Sequence, residues 1–222
     1  MLQAIGHMLP IAIAVALSSV PILATIVILL SPKRQQSSVP FLIGWVIGIA
    51  VVLVFFTLTA QLLPASRSPR RPDTVIGTLE IVVGAALIAI AVFEWVRARR
   101  HPSTTMPKWL SAVDSFGPWA AFGVALLLNV RPKALLLAMA AALALRGDGL
   151  TPAGSIVPIL VYTLVGCSTV AIPIIMTMAQ PEKMAPRLVS MKDWVSRNMK
   201  SVTAVILLLI GVAIIWTGVA RL

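Results

Sequence analysis

The sequence predicts an all-α polytopic membrane protein: six transmembrane helices as two inverted three-helix repeats, with broken first and fourth helices. Three observations predict this class. The composition is too apolar for a soluble globule, six apolar runs have bilayer-crossing length, and short motifs recur in the same order in the two halves. The 222 residues are 59% hydrophobic and 11% charged, with a mean hydropathy of +1.00. A soluble domain carries about 25% charged residues. Too little polar side chain is present to cover a water-soluble enzyme, and a disordered chain needs low hydrophobicity.

A membrane-crossing helix needs roughly 20 mostly apolar residues. The first such run is Leu9–Leu30. No basic segment precedes it and no small-residue cleavage pattern follows, so it reads as a retained span. Its middle holds Ser18-Ser19-Val20-Pro21. The second run is Pro40–Leu63, and the third, Val75–Val96, contains Glu80 and Glu94. The fourth, Pro118–Leu145, carries Asn129-Val130-Arg131-Pro132-Lys133, and the fifth and sixth are Ile156–Ala179 and Val202–Ala220. This divides the chain into a first three-helix repeat (1–96), a cytoplasmic linker with an amphipathic stretch (97–117) and a second repeat (118–222).

The repeat is carried by three alignments. Pro40 to Gly48 lies on Pro158 to Gly166, with proline and glycine at the same spacing. Val83-Gly84-Ala85-Ala86 lies on Ile210-Gly211-Val212-Ala213, and Ser18-Ser19-Val20-Pro21 on Asn129-Val130-Arg131-Pro132. Successive halves of three spans enter the membrane from opposite sides, so the repeat is inverted, as in many secondary transporters. Gly44, Gly48, Gly84, Gly166 and Gly211 are expected at close helix packing rather than at a ligand.

The net charge of +11 comes from 18 basic and 7 acidic residues. Eleven of the 18 basic residues follow spans one, three and five, five lie on the opposite side (Arg67, Arg70, Arg71, Arg146, Arg221), and two fall inside a span. The positive-inside rule then places both termini outside. No basic stretch is interleaved with aromatics, so nucleic acid is not expected as a partner. Two loop stretches have apolar residues at helical spacing: Trp109, Leu110, Val113 and Phe116, and Leu188, Met191 and Val195. Both read as helices lying in the membrane interface, the second anchored by Trp194.

Pro21 and Pro132 interrupt corresponding spans. Each removes a helix hydrogen bond, and in lipid the freed carbonyl needs protein, water or substrate. Paired breaks of this kind point to a transport site; the alternative is an ordinary packing kink. Arg131 and Lys133 are the two basic residues inside a span, where a charge costs about 2.5–3.5 kcal/mol on insertion scales. Glu80 and Glu94 are the acidic residues within the six spans. Glu94 lies near the end of its helix, and Glu80 meets the basic pair only if the packing brings it deeper. The pair is therefore expected to offer positive charge to a phosphate, sulfate or carboxylate. The alternative is that the fourth span begins further along and both side chains reach back to an interface. Ser18, Ser19 and Asn129 are placed to line the cavity. Thr25, Thr163, Ser168 and Thr169 read mostly as helix–helix glue, and Glu80 is the candidate proton carrier.

Hydrolytic, metal and nucleotide motifs are missing from the sequence: it has no Walker loop, no H-E-x-x-H and no nucleophile–base set. His7 and His101 are isolated, and Cys167 is alone in an apolar run, where it packs. The expectation is a non-enzyme without cofactor or metal.

The polar-Pro break, the loop opening Ser31-Pro32-Lys33, the segment Phe41-Leu42-Ile43-Gly44-Trp45-Val46-Ile47-Gly48 and Arg131-Pro132-Lys133 before a Leu/Ala run occur in this order. Together they resemble the GAP family, the glycolipid- or sulfolipid-addressing proteins of actinobacterial envelopes, within the lysine exporter (LysE) superfamily. The resemblance covers essentially the whole chain. Where many superfamily members carry Asn-Pro-Lys, this sequence has Arg131, which adds a positive charge suited to a strongly anionic headgroup. The resemblance implies export of small solutes, or delivery of envelope glycolipids across the cytoplasmic membrane. It also implies three-plus-three inverted repeats and a homodimer.

The leading expectation is a secondary transporter or flippase for an anionic lipid or glycolipid. Arg131 and Lys133 would hold the headgroup, Pro21 and Pro132 make the breaks, and Ser18, Ser19 and Asn129 supply hydrogen bonds. A LysE-like exporter of amino acids or other small solutes is one alternative. The other is a non-transporting accessory subunit of a lipid-synthesis complex.

Overall fold

The computed structural model describes residues 2–62, 74–100, 117–151 and 153–220. The Arg67–Arg71 cluster, the Trp109–Phe116 stretch, His101 and Arg221 lie outside the described residues. Those described form eight helices: α1 (Leu2–Ala16), α2 (Ser19–Leu30), α3 (Arg34–Gln61), α4 (Thr74–Arg100), α5 (Pro118–Asn129), α6 (Pro132–Gly147), α7 (Ile156–Ala179) and α8 (Pro181–Val219). Four are long and apolar enough to cross a membrane: α3, α4 over Thr74–Val96, α7, and α8 over Ser201–Val219. The pairs α1–α2 and α5–α6 are bent by 49° and 61°, and each adds a crossing if it is one broken span. The protein is a multi-pass helical membrane protein with four to six spans.

Both bends fall at the sequence signals expected for them. Pro21 has no N–H for the Leu17 carbonyl, and Pro132 none for that of Leu128. At the first bend, one threonine from the second half of the chain takes up this loss and another bonds the neighbouring carbonyl. Thr203 of α8 donates its hydroxyl to the Leu17 carbonyl at 3.1 Å, and Thr169 of α7 donates to the Ala16 carbonyl at 2.6 Å. In a bilayer, where water cannot serve these carbonyls, such bonds fix where the chain may break.

Packing is set by small residues. α4 lies along α8, and α3 along α5. A Cβ on Gly84 would stand 2.7 Å from the Gly211 carbonyl oxygen, and one on Gly211 would stand 2.8 Å from that of Gly84. A Cβ on Gly44 would stand 2.6 Å from the Phe122 carbonyl oxygen. Backbones this close leave no space for any other residue, and the approach gains the dispersion contacts that drive association in lipid. Inside, Phe41, Leu53, Leu137 and Tyr162 fill a common core. Outside, Phe55, Leu164, Leu209 and Trp216 face outward; lipid solvates such a surface, whereas water would drive it to aggregate.

The stretch 186–197 is helical, as its spacing predicts, and precedes the apolar span Ser201–Val219. It is the first part of α8, continuous with the apolar segment, and Leu188 and Val195 are buried in the common core. Helical spacing alone cannot tell a face that meets lipid from one that meets other helices.

Candidate functional site

Four of the residues singled out by sequence meet at one cavity. Ser18 and Pro21 come from the first bend, Arg131 and Lys133 from the second. Trp45 of α3, with Val15, Leu128, Ala134 and Leu137, completes the wall. The volume is about 30 Å³, room for a water or two.

The backbone gives this cavity a sign. Ser18 is the N-cap of α2 and Arg131 the N-cap of α6, both in extended conformation and neither forming a side-chain capping bond. Two half-helices therefore start at the cavity wall. Their first-turn N–H groups have no intrahelical partners, and each N-terminus carries about half a positive charge. Broken helices in transporters aim such ends at anionic substrate groups.

The side chains add to it. Trp45 is 2% exposed, and its indole Nε1–H has no hydrogen-bond partner; the Arg131 Nε–H is likewise buried and unpartnered. A buried donor without an acceptor costs about 1–3 kcal/mol. Two such donors around one cavity form a site shaped for an oxyanion. Both donate only, so a cation gains nothing there.

The carboxylate that answers the basic pair is Glu94, not Glu80. The charge of Glu94 acts on both Arg131 and Lys133, without closing to a salt bridge with either. α4 packs beside α6, and this brings its C-terminal part to the α6 N-terminus. One carboxylate against two cations leaves one net positive charge. Glu94 sits three residues before Arg97, so the second bend lies toward the basic end of α4 rather than at mid-depth.

The remaining candidates lie elsewhere. Asn129 is buried, donates to the Ala125 carbonyl at 2.9 Å and packs its amide on Gly48 of α3. Ser19 is the first residue of α2 and Pro132 the first of α6, and neither lines the cavity. Glu80 is buried where α4 meets α8, its Cβ beside Gly218. Thr25, Thr163 and Ser168 donate to carbonyls three or four residues back in their own helices, so of the expected glue residues Thr169 bonds across helices. Sequence reasoning missed Trp45 and Thr203 as contributors. The signals were present: a tryptophan between the glycines of a second span, and a threonine opening a sixth.

Fold and site together define a helical membrane protein whose two bends meet at a small, cationic, donor-rich cavity. The chain belongs to the family described as Sap, sulfolipid-1-addressing protein, whose profile matches residues 8–220. Comparisons with curated proteins and with solved structures found no match.

Proposed function

We propose that this protein carries an anionic lipid or glycolipid across a bacterial cytoplasmic membrane, with the acidic headgroup bound between the two bends. The observation that carries the proposal is the convergence of Arg131, Lys133, two half-helix N-termini and the unpartnered Trp45 and Arg131 N–H groups on one cavity. A sulfate ester fits this donor set: it keeps its negative charge at every physiological pH and offers several acceptor oxygens. Family membership supports a lipid-addressing role.

The carrier has six spans in this reading, each bent pair crossing once. Helix packing supports an inverted repeat. α1 packs on α7 as α5 packs on α3, and α2 packs on α8 as α6 packs on α4. Gly84 and Gly211, matched between the halves, touch each other, as equivalent residues do on a two-fold axis. A cavity that holds a water or two must widen to admit a headgroup, and rocking one repeat against the other provides that movement.

Headgroup binding by the purified protein, together with transport in proteoliposomes, tests this. Arg131→Ala and Lys133→Ala each remove a charged hydrogen-bonding group worth about 1.5–3 kcal/mol. Affinity should fall about tenfold to a hundredfold in each. Trp45→Phe keeps the ring and removes the donor, and its expected loss is smaller. Wild-type binding and transport in both basic-residue variants would sink the proposal.

A further inference from the structure

A second, larger cavity also borders the first bend. Its volume is about 620 Å³; it is a groove open to the outer surface, where Ile172, Met191 and Trp194 are exposed, and Leu17, Ile22 and Pro173 supply more of its wall. An apolar cavity of about 150 Å³ accepts benzene; this one is about four times that. Its wall also includes three hydroxyls, and each has its donor committed. Ser168 donates to the Val165 carbonyl, Thr169 to that of Ala16 and Ser190 to that of Pro186. The contrast with the cationic cavity is chemical: there, buried donors lack acceptors; here, those of the hydroxyls are already bonded.

The two compartments share a wall. Val15, Ser18 and Pro21 line the cationic cavity, while Leu17 and Ile22 line the apolar one. The bent segment between α1 and α2 thus contributes to both walls and is held by Thr169 and Thr203. We propose that the apolar cavity holds an acyl chain of the lipid whose acidic headgroup sits at Arg131 and Lys133, so that one substrate straddles the first bend. This rests on the headgroup reading above and adds the hydrocarbon half of the substrate. A small hydrophilic solute would have no use for this compartment. An alternative occupant, a bulk membrane lipid, would enter it regardless of headgroup.

Photolabelling of the full-length protein in phosphatidylcholine nanodiscs separates these cases. The probes are a 3-sulfated galactosyl lipid with a diazirine in its acyl chain and the same lipid without sulfate. Galactose 3-sulfate, titrated separately, reports the headgroup site alone. The sulfated probe should label the 168–173 and 190–195 segments several times more than the unsulfated one. Ile172→Trp and Met191→Trp fill the apolar cavity. Each should cut that labelling about tenfold while galactose 3-sulfate binds as in wild type, which also shows that the variant is folded. Equal labelling by the two probes, or sulfated-probe label spread over outward faces away from the 168–173 and 190–195 segments, overturns the proposal. If galactose 3-sulfate binding needs Arg131 and Lys133 but the cavity stays unlabelled, the acyl-chain proposal alone fails. If that binding ignores both residues, the headgroup reading fails with it.

Discussion

Thr203 does what a proline makes necessary. Pro21 cannot serve the Leu17 carbonyl, and the Thr203 hydroxyl reaches it from α8 at 3.1 Å. Measured interhelical hydrogen bonds in membranes average about 0.6 kcal/mol and reach about 1.7; this one is worth about 1 kcal/mol, because its loss leaves a half-buried carbonyl without a donor. Thr203→Val should lower the melting temperature in detergent by about 2–4 °C, the shift expected for roughly 1 kcal/mol in a chain of this size. Thr163→Val removes a hydroxyl whose bond stays within its own helix and should change it less. Equal shifts would show that the bend does not depend on its cross-helix partner. The same contrast explains what could be read from sequence at this scale. Ser18, Pro21, Arg131 and Lys133 stood out because polar groups and prolines are rare in apolar runs. Trp45 and Thr203 did not, and Glu94 stood out only as an acidic residue near a helix end, because their roles depend on which helix lies opposite. Asn129 looked like a ligand for the same reason the others did, yet its amide is turned onto Gly48.

At the scale of elements, close approach decides which helices pair. α4 and α8 touch through Gly84 and Gly211, backbone to backbone. Gly211→Leu places a side chain where a carbonyl oxygen already stands, and dispersion contacts along the whole pair are lost as the helices part. The expected outcome is a large drop in monodisperse protein recovered after detergent extraction, with Gly84→Leu behaving alike. Gly6→Ala and Gly123→Ala are the controls: a Cβ at either meets nothing within 4 Å, and alanine favours a helix by about 1 kcal/mol over glycine. They should leave recovery unchanged or raise it. The helices themselves were evident from apolar run lengths, and the bends from the prolines. The continuity of α8 through 186–197 was not, since its Leu188, Met191 and Val195 spacing suits a membrane surface and a protein core equally well.

For the whole molecule, sidedness determines what the site can reach. His7 Nδ1 and Asp148 Oδ2 are 3.2 Å apart, so the start of α1 and the end of α6 share one end of the bundle. With α1–α2 crossing once, as in the proposed six-span carrier, Lys33, Arg34 and the Arg97–Arg100 run mark the other end. Glu94, and with it the cationic cavity, lies toward that basic end. The positive-inside rule predicts a cytoplasmic basic end, and in the proposed carrier a cavity displaced toward it would take its headgroup from the inner leaflet. Cysteine labelling measures this directly. The native Cys167 is buried and bonded to the Leu164 carbonyl, which leaves a quiet background. Gly6→Cys in α1 and Gln36→Cys in the first turn of α3 place exposed thiols before and after the α1–α2 pair, on opposite sides of the membrane in the six-span reading. A membrane-impermeant maleimide added to intact cells should label the cysteine at 6 and should reach that at 36 only after permeabilisation. The reverse pattern would put the cationic cavity near the outer leaflet. The same residues would then take headgroups from outside, and the protein would import or retrieve its lipid rather than deliver it.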